Sequence, residues 1–577
     1  MIHVKDHKTL DLFKPFPFLG PKRRHLLEGS WAKLFRDHIL HQLPVEKIFN
    51  NYSAFKGRPT KELYAMLGLM LLQQVHDLTD EEAICQFAFN IKWHYALGIT
   101  NESDEDTYLS AKTLWTMRSL LIEQGLYGVL FQSVTDPLAK LFSLDPSLQR
   151  IDSVHLFSNM RHLGRIGLFV HTIRKFLVNL KRHHRELFDG LGQAFTDRYV
   201  TKQGQGVFSL VKPSESIRTL EVLGKDLFSL TEQFKSHPEV AKMSSFGLLV
   251  RLLGEQCHVE PQAEGEGPRV SIKANKEVAS DSLQNPSDPD AGYDGHKGKG
   301  YQLQLAETYG RDEENKGLSL ITVGQVESAD QSDAHALIPL IEEAQRRGLG
   351  PEEVLADSLY GGDDNVEQAR DRGVEVISPA MGKPGELSLA DFSLKEDSTV
   401  EVCPEKKVPV KTRAKKGKYT ATFDLDTCAC CPRLSQCPVK RGKKGYSLRY
   451  NDKAVRLAER RAFEKTVAFR EAYRYRAGIE GTISELDRKT GVKHLRVRGL
   501  GAVSFCAILK AAGLNLLRAA AFKNRKEKEK RMGIPNNAGL FGLFFVFKEQ
   551  RLALWALLQR IRNSFGTNTP YWGESYA

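Results

Sequence analysis

Between residues 301 and 378 the hydrophobic pattern changes period from two to about 3.6 and back. That alternation restricts the chain to a sheet flanked by helices. Tyr301, Leu303 and Leu305 alternate with polar residues, as a half-buried strand requires. A turn at 309–317 and an apolar run at 318–326 supply its hairpin partner. Ser332 and Asp333 cap a helix that runs to Gly348, with Pro339 as a kink or a late start. Val354, Leu355 and Ala356 form a short buried run that ends at Asp357. Asp364 and Glu367 then begin a second helix that stops at Gly373, and residues 374–378 make the next strand.

Residues 148–152 add an earlier strand ending at Asp152, and a long helix is expected from 451 to 490. The resulting order of elements is the one shared by the ribonuclease H-like fold. The expected fold class is therefore mixed α/β: an RNase H-like core with an all-helical N-terminal domain, a helical insertion and a cysteine-containing insertion. The boundaries expected are 1–145 for the helical DNA-binding or assembly domain, and 146–165 with 290–400 for the first part of the core. Residues 166–289 form the helical insertion and a polar linker, and 401–445 the basic cysteine-rich insertion. Residues 446–525 complete the core, and 526–577 hold a basic helix and a tail.

In the N-terminal part, Leu63, Met66, Leu67 and Met70 repeat at helical spacing behind Thr60, and Thr79-Asp80-Glu81-Glu82 is a capping-box pattern. This helical hairpin reads either as simple packing or as a DNA-reading helix-turn-helix. Residues 257–292, with Pro261, Pro268, Pro286 and Pro289, read as a linker or surface loop.

Charge narrows the choice of partner. The chain carries +12 overall, but residues 401–530 hold 33 Lys and Arg against 13 Asp and Glu, so the remainder is acidic. A basic block of this size points to a polyanion, most often nucleic acid. The first eight residues lack an apolar h-region, and the apolar runs at 63–72 and 538–547 are half the length of about 20 residues that a bilayer needs. A soluble, intracellular protein without a membrane partner is expected. Four of the eight cysteines crowd into 428–437. Cys428-x-x-Cys431 has knuckle spacing, and Cys403 and Cys437 would complete a tetrahedral thiolate site for Zn²⁺; the alternative is a set of reduced, packed thiols.

Open sheets of this kind gather ligands at the carboxyl ends of their strands. Asp152 and Asp357 both stand at such ends, where two carboxylates repel unless they share a hard cation such as Mg²⁺. Tyr473, Arg476 and Glu480 are spaced i, i+3, i+7 and so share one helical face. Glu480 is thus the candidate third carboxylate, and Glu485 points elsewhere.

These residues carry a resemblance. Tyr473-x-x-Arg476-x-x-x-Glu480 resembles the Y-R-E-K signature of bacterial insertion-sequence transposases of the DDE class. Ala356-Asp357-Ser358-x-Tyr360-Gly361 and Ile151-Asp152-Ser153 resemble the second and first aspartate motifs of that group. Pro59-Thr60-x-Glu62-Leu63-Tyr64, Asp294-Gly295-His296-Lys297-Gly298-x-Gly300-Tyr301 and Arg496-x-Arg498-Gly499-Leu500 follow in matching order, so the resemblance spans residues 55–520. It implies cleavage of DNA at insertion-sequence ends and strand transfer into target DNA. Asp152, Asp357 and Glu480 would be catalytic and would hold two Mg²⁺ (or Mn²⁺) ions. Tyr473 and Arg476 would position the DNA. The implied partners are double-stranded DNA, as terminal inverted repeats and as target, and a second copy of the chain in a synaptic homodimer, acting in the bacterial cytoplasm at the nucleoid. The signature lysine would fall at position 487, which is Asp487; Arg488 and Lys489 follow and are the candidates for its phosphate contact. Two other readings stay open: a catalytically inactive or repurposed DNA-binding protein, and a metal-dependent nuclease that cuts without joining.

Overall fold

A computed structural model describes residues 1–532 apart from 10–14, 54–55, 202–207, 209, 261–267, 313–316 and 383–385. The apolar run at 538–547, the tail beyond 532, Pro261 and the middle of the 309–317 turn lie outside the described residues. The fold is mixed α/β, with a helical N-terminal region followed by sheets.

In chain order the first eight strands are β1 (Leu148–Leu156), β2 (Cys257–Glu260), β3 (Arg269–Ile272), β4 (Gly292–Asp294), β5 (Gly298–Thr308), β6 (Ile321–Ser328), β7 (Glu353–Leu355) and β8 (Glu375–Ile377). Six of them form the central sheet, in the order β4-β5-β1-β7-β8 with β6 also paired to β5. β5 is antiparallel to β1 and β6, while β7 runs parallel to β1 and β8 parallel to β7. β1 is longer than the five residues read from the sequence, and Asp152 sits in its middle, opposite Leu305, rather than at its end. The hairpin register explains the extension: β5 is eleven residues long and pairs β1 as far as Leu156.

The sheet is covered on both faces. Leu337–Arg346 and Asp363–Asp371 pack against Ile151, Ala306, Val323 and Val354. Pro339 lies in the first turn of Leu337–Arg346, behind a 3₁₀ segment, Asp333–Ala336, capped by Ser332, so the late start wins over the kink. The helix Asp363–Asp371 has no side-chain cap; Asp363 and Asp364 instead pair with Arg456 and Lys453.

On the opposite face the helix Leu500–Arg531 runs between the sheet and the N-terminal helices, in one core with Leu67, Met70, Val154, Leu303 and Ile321. It is long and apolar enough to cross a membrane by composition, which the ten-residue runs in the sequence do not reveal. Its best stretch is nevertheless 78% buried within the protein. Polar residues on it find distant partners: Lys510 Nζ donates to Asp77 Oδ1 at 2.7 Å, and Asn515 bonds both backbone groups of Ile321 at 2.7 and 2.8 Å. These are the bonds that a core helix needs and a lipid-facing one lacks.

In the N-terminal region the capping box at Thr79 and Glu82 is formed, with both reciprocal bonds present. The preceding helix is Leu63–Val75, capped by Glu62 rather than Thr60. Thr60 Oγ1 instead accepts from His3 N at 2.9 Å. Leu63–Val75 is buried on every side, so the helical hairpin is a packing unit at its first helix.

Residues 165–256 fold as helices around a separate core that includes Phe169, Phe176, Leu227 and Leu249. The stretch read as a linker is structured. β2 and β3 pair antiparallel, and Leu283, Asn285 and Asp288 are buried. Asp288 accepts from Ser158 Oγ, Tyr301 OH and Gly499 N at 2.5, 2.5 and 2.9 Å, tying the stretch to β5 and to the start of the last helix. Pro286 O and Pro289 O accept from Lys175 Nζ and Arg251 Nη1, so these two prolines mark bends in an ordered path.

Candidate active site

Asp152 projects from β1 on the face that carries Val154, toward the helix Gly478–Thr490. Its Oδ1 accepts from Ser153 N at 2.9 Å and its Oδ2 from Arg476 Nη2 at 2.8 Å. The other arm of the same guanidinium donates to Glu480 Oε1 at 2.7 Å. Arg476 therefore lies between two carboxylates that are 328 residues apart in the chain.

Asp357 stands two residues beyond β7, in the loop 356–362. Its Oδ1 accepts from Leu359 N at 2.8 Å, closing an Asx turn. The helix Asp452–Glu464 fixes this loop from outside, with Arg460 Nη1 donating to Gly361 O at 2.7 Å and Nη2 to Ser378 Oγ at 3.0 Å. Glycine is required at 361, because a Cβ there would lie 2.1 Å from Ser378 Oγ.

The single helix expected from 451 to 490 is broken. It becomes Asp452–Glu464, Val467–Tyr473, a 3₁₀ turn Arg474–Ala477, and Gly478–Thr490. Tyr473, Arg476 and Glu480 do not share one straight helical face. The 3₁₀ turn overwinds the backbone and swings Arg476 across to β1. Arg150 anchors that turn: its Nη1 donates to Tyr475 O at 2.7 Å and its Nε to Glu307 Oε1 at 2.6 Å. The approach is so close that a Cβ at Gly478 would fall 1.8 Å from Arg150 Nη1. Tyr473 stacks on Phe469 with ring centroids 5.1 Å apart, and burial pushes its hydroxyl up, with Asp357 and Asp152 adding to the rise.

Arg488 and Lys489 lie on the last turn of Gly478–Thr490, about 12–14 Å along the axis from Glu480. Lys489 Nζ donates to Glu485 Oε1 at 2.7 Å, and Glu485 also bonds Arg518, so Lys489 is turned away from the carboxylates. Asp487 accepts from Lys493 N at 3.1 Å and organises the loop that follows the helix.

Two residues at the site were not singled out as site residues from the sequence. Asp333, read there as a helix cap, is buried, and its Oδ1 accepts from Gln304 Nε2 at 2.7 Å. Lys297 Nζ lies 4.0 Å from Asp333 Oδ2 and 3.3 Å from Ser153 Oγ. The buried Tyr360 hydroxyl bonds Gln304, and Tyr360 feels the charges of Asp333, Asp152 and Asp357. The only sequence signal for Lys297 was its place in the Asp294–Tyr301 stretch, and none distinguished Asp333 from an ordinary cap.

Burial pushes the Asp152 carboxyl above its ordinary value of 3.8; Arg476 and the Ser153 N–H oppose the shift, and Asp357 and Asp333 reinforce it. A raised carboxyl in the folded state means that its ionised form costs stability. The cost is absent below 3.8, grows as pH rises toward the raised value and is complete above it. Asp152→Asn is therefore expected to raise the melting temperature of the metal-free protein at pH 7 and to leave it unchanged below pH ~4. Melting curves of the two proteins across that range check this; a lower melting temperature for the variant at pH 7 would mean that the pair with Arg476 outweighs burial.

The donors here are hard oxygens, which suit Mg²⁺ or Mn²⁺. Among the described residues, no three His, Cys, Asp or Glu side chains already stand close enough to hold an ion. Arg476 pairs with both Asp152 and Glu480, so a guanidinium supplies positive charge between these two carboxylates.

Cys403, Cys428, Cys431 and Cys437 line one cavity 46 to 80 residues along the chain from Asp357, and Cys430 is exposed outside it. Burial, then the neighbouring Cys437, Cys403 and Cys431 thiols, push Cys428 up to about 11.

Comparison with known proteins adds to this geometry. Residues 27–120 match a transposase domain (DUF772), and residues 402–520 match a transposase DDE domain. The second match contains Glu480, Arg476 and the four cysteines, whereas Asp152 and Asp357 lie outside both. An uncharacterized protein, ORF8 in the nfe locus of Rhizobium meliloti, is 27% identical over 144 residues, which are 25% of this chain and 69% of that protein. A piggyBac transposase, solved by cryo-EM as a synaptic complex with hairpin DNA, aligns over 94% of this chain and 86% of its own. Its TM-score is 0.26 at 8% identity, a superposition too loose to carry an argument. Two separate stretches of this chain thus match transposase domains, the second of them of the DDE type.

Proposed function

We propose that the chain cuts DNA at the ends of an insertion sequence and joins the freed 3′ ends to target DNA, using an RNase H-like core. The observation that carries this reading is the convergence of Asp152, Asp357 and the Arg476–Glu480 pair, from three separate segments, beside one end of a mixed sheet. The strand order β6-β5-β1-β7-β8, antiparallel on one side of β1 and parallel on the other, supports an RNase H-like core. Asp152, Asp357 and Glu480 would hold two Mg²⁺ or Mn²⁺ ions, which would supply activation of the attacking oxygen and stabilisation of the leaving one. Arg476, paired with Asp152 and Glu480, would position the scissile phosphate, and Tyr473 would orient the strand beside it. Lys297 screens Asp333 and offers a second cation toward the phosphate backbone. Arg488 and Lys489 contact phosphates one helix length from the cut. In-line displacement forms no covalent enzyme intermediate, so no Ser or Tyr nucleophile is required.

The division of labour follows the chain. Residues 1–145 bind DNA and assemble the complex. Residues 146–165, 290–400 and 446–525 perform the chemistry, 166–289 and 401–445 are insertions, and 526–577 lie beyond the core. The partners are double-stranded terminal repeats and target DNA, with a homodimer in the synaptic complex, at the nucleoid in the cytoplasm. The test is incubation of the protein with labelled end duplex and Mg²⁺ or Mn²⁺. Nicked 3′ ends that become joined to a target plasmid support the proposal. Nicking alone makes the chain a nuclease, and tight binding without nicking makes it a DNA-binding protein.

A further inference from the structure

The geometry points to a structural Zn²⁺ site formed by the thiolates of Cys403, Cys428, Cys431 and Cys437, which locks the basic β-rich insertion in shape. The insertion contains β9 (Ser393–Leu394), β10 (Val400–Val402), β11 (Lys411–Lys415), β12 (Lys418–Phe423), β13 (Lys440–Gly442) and β14 (Gly445–Asn451). β11 to β14 form one antiparallel sheet in the order β11-β12-β14-β13. Among the described residues its buried apolar cluster is Phe392, Val400, Ala421, Phe423 and Leu448, with Leu389, Leu394, Val439 and Tyr450 partly buried against it. A module of this size with so few buried side chains needs a cross-link or a metal to hold one conformation. A cross-link is not what the chain uses, since all its cysteines are free thiols.

The backbone brings the four cysteines to the wall of one cavity. Cys428 ends the short helix Leu425–Ala429, and Cys431 N donates to Cys428 O at 3.1 Å. Leu434 N then bonds Cys431 O at 3.1 Å and Cys437 N bonds Leu434 O at 3.2 Å, so successive tight turns wrap the segment around the cavity. Cys403 reaches it from the turn after β10, closed by Lys406 N to Cys403 O at 2.8 Å and Cys403 N to Lys407 O at 2.9 Å. Two backbone N–H groups aim at sulfur. Lys407 N donates to Cys403 Sγ at 3.4 Å, and Val439 N–H donates to Cys437. Such bonds favour a sulfur that carries negative charge, as a metal-bound thiolate does. The cavity between the sulfurs is about 30 Å³ and is walled by Phe392 and Phe423. It admits one atom-sized occupant, and its donors are soft sulfur rather than oxygen, which selects Zn²⁺ over Mg²⁺. Among the described residues no three such side chains already stand close enough to hold an ion, so loading requires the four sulfurs to draw together around the cavity.

The site explains how so basic a surface stays ordered. Lys411, Arg413 and Lys415 on β11 and Lys440 and Arg441 on β13 are all exposed, and their mutual repulsion works against a sheet with so small a core.

The test is metal content of the full-length protein purified without chelator. Atomic spectrometry is expected to find ~1 zinc per chain, and replacement by Co²⁺ to give the intense thiolate charge-transfer and tetrahedral d–d bands of a four-sulfur site. Cys428→Ser and Cys431→Ser each lose the metal, whereas Cys430→Ser, at the exposed neighbour, keeps it. Circular dichroism of the same samples shows whether a variant that lost zinc remained folded. Wild-type protein that is folded, holds no zinc and shows no Co²⁺ bands overturns the site. Equal loss in Cys430→Ser, or a cobalt spectrum with fewer than four thiolates, overturns the ligand set. None of these readouts depends on DNA cleavage, so they stand or fall apart from the proposed reaction.

Discussion

Asp357→Ala is expected to slow both nicking and joining of end DNA by about three orders of magnitude at saturating Mg²⁺, the rate equivalent of several kcal/mol of lost transition-state stabilisation. The substitution should leave the fold nearly untouched. Asp357 is partly exposed, and the hydrogen bond seen for its carboxylate is the one from Leu359 N, whose loss costs about 1 kcal/mol. A near-native melting temperature with activity near background is therefore the expected pairing. Activity within tenfold of wild type would remove Asp357 from the chemistry. A silent wild type beside a silent variant, both binding end DNA equally, would favour the DNA-binding reading instead.

The second large effect concerns the frame behind the site. Glu307 on β5 is fully buried, and it accepts from Arg150 Nε at 2.6 Å, Thr482 Oγ1 at 2.6 Å and Arg518 Nη1 at 3.1 Å. One carboxylate thus joins β1, the helix Gly478–Thr490 and the helix Leu500–Arg531. Glu307→Ala leaves two guanidinium groups in a low-dielectric site without their counter-charge, which costs about 3–5 kcal/mol. The first unfolding transition in denaturant should move accordingly. Cleavage should also fall under conditions where the variant is still folded, because Arg150 holds the turn that delivers Arg476. A stability loss below about 1 kcal/mol would mean that water replaces the carboxylate.

The alternation of strands and helices from 301 to 378 was legible in the sequence because a strand buried on one or both faces and an amphipathic helix each impose a local period. The capping box at Thr79 was legible for the same reason: its partners are three residues apart. Asp152, Asp357, Arg476 and Glu480 were named from short motifs, and the fold brings Arg476 between Asp152 and Glu480. Their manner of meeting was not legible. The periodic stretch around Tyr473 reads as one helix, and only contact between Arg150 and Tyr475 O accounts for the 3₁₀ turn that breaks it. The proline-bearing stretch 280–292 reads as solvated until Asp288 is seen bonded to Ser158, Tyr301 and Gly499.

By itself, then, the sequence determined the alternating strands and helices from 301 to 378, the basic stretch with its clustered thiols and the resemblance to the DDE-type motifs. Each of these is written in residues near one another in the chain. The tertiary structure alone decided that Asp333 and Lys297 stand beside Asp152 and Ser153, and that Leu500–Arg531 is a core helix. The physical reason is the same in each case: a buried charge or polar group is tolerated only where a partner neutralises it. Those partners, such as Glu307 for Arg518 or Asp77 for Lys510, stand hundreds of residues away, where no local pattern reaches.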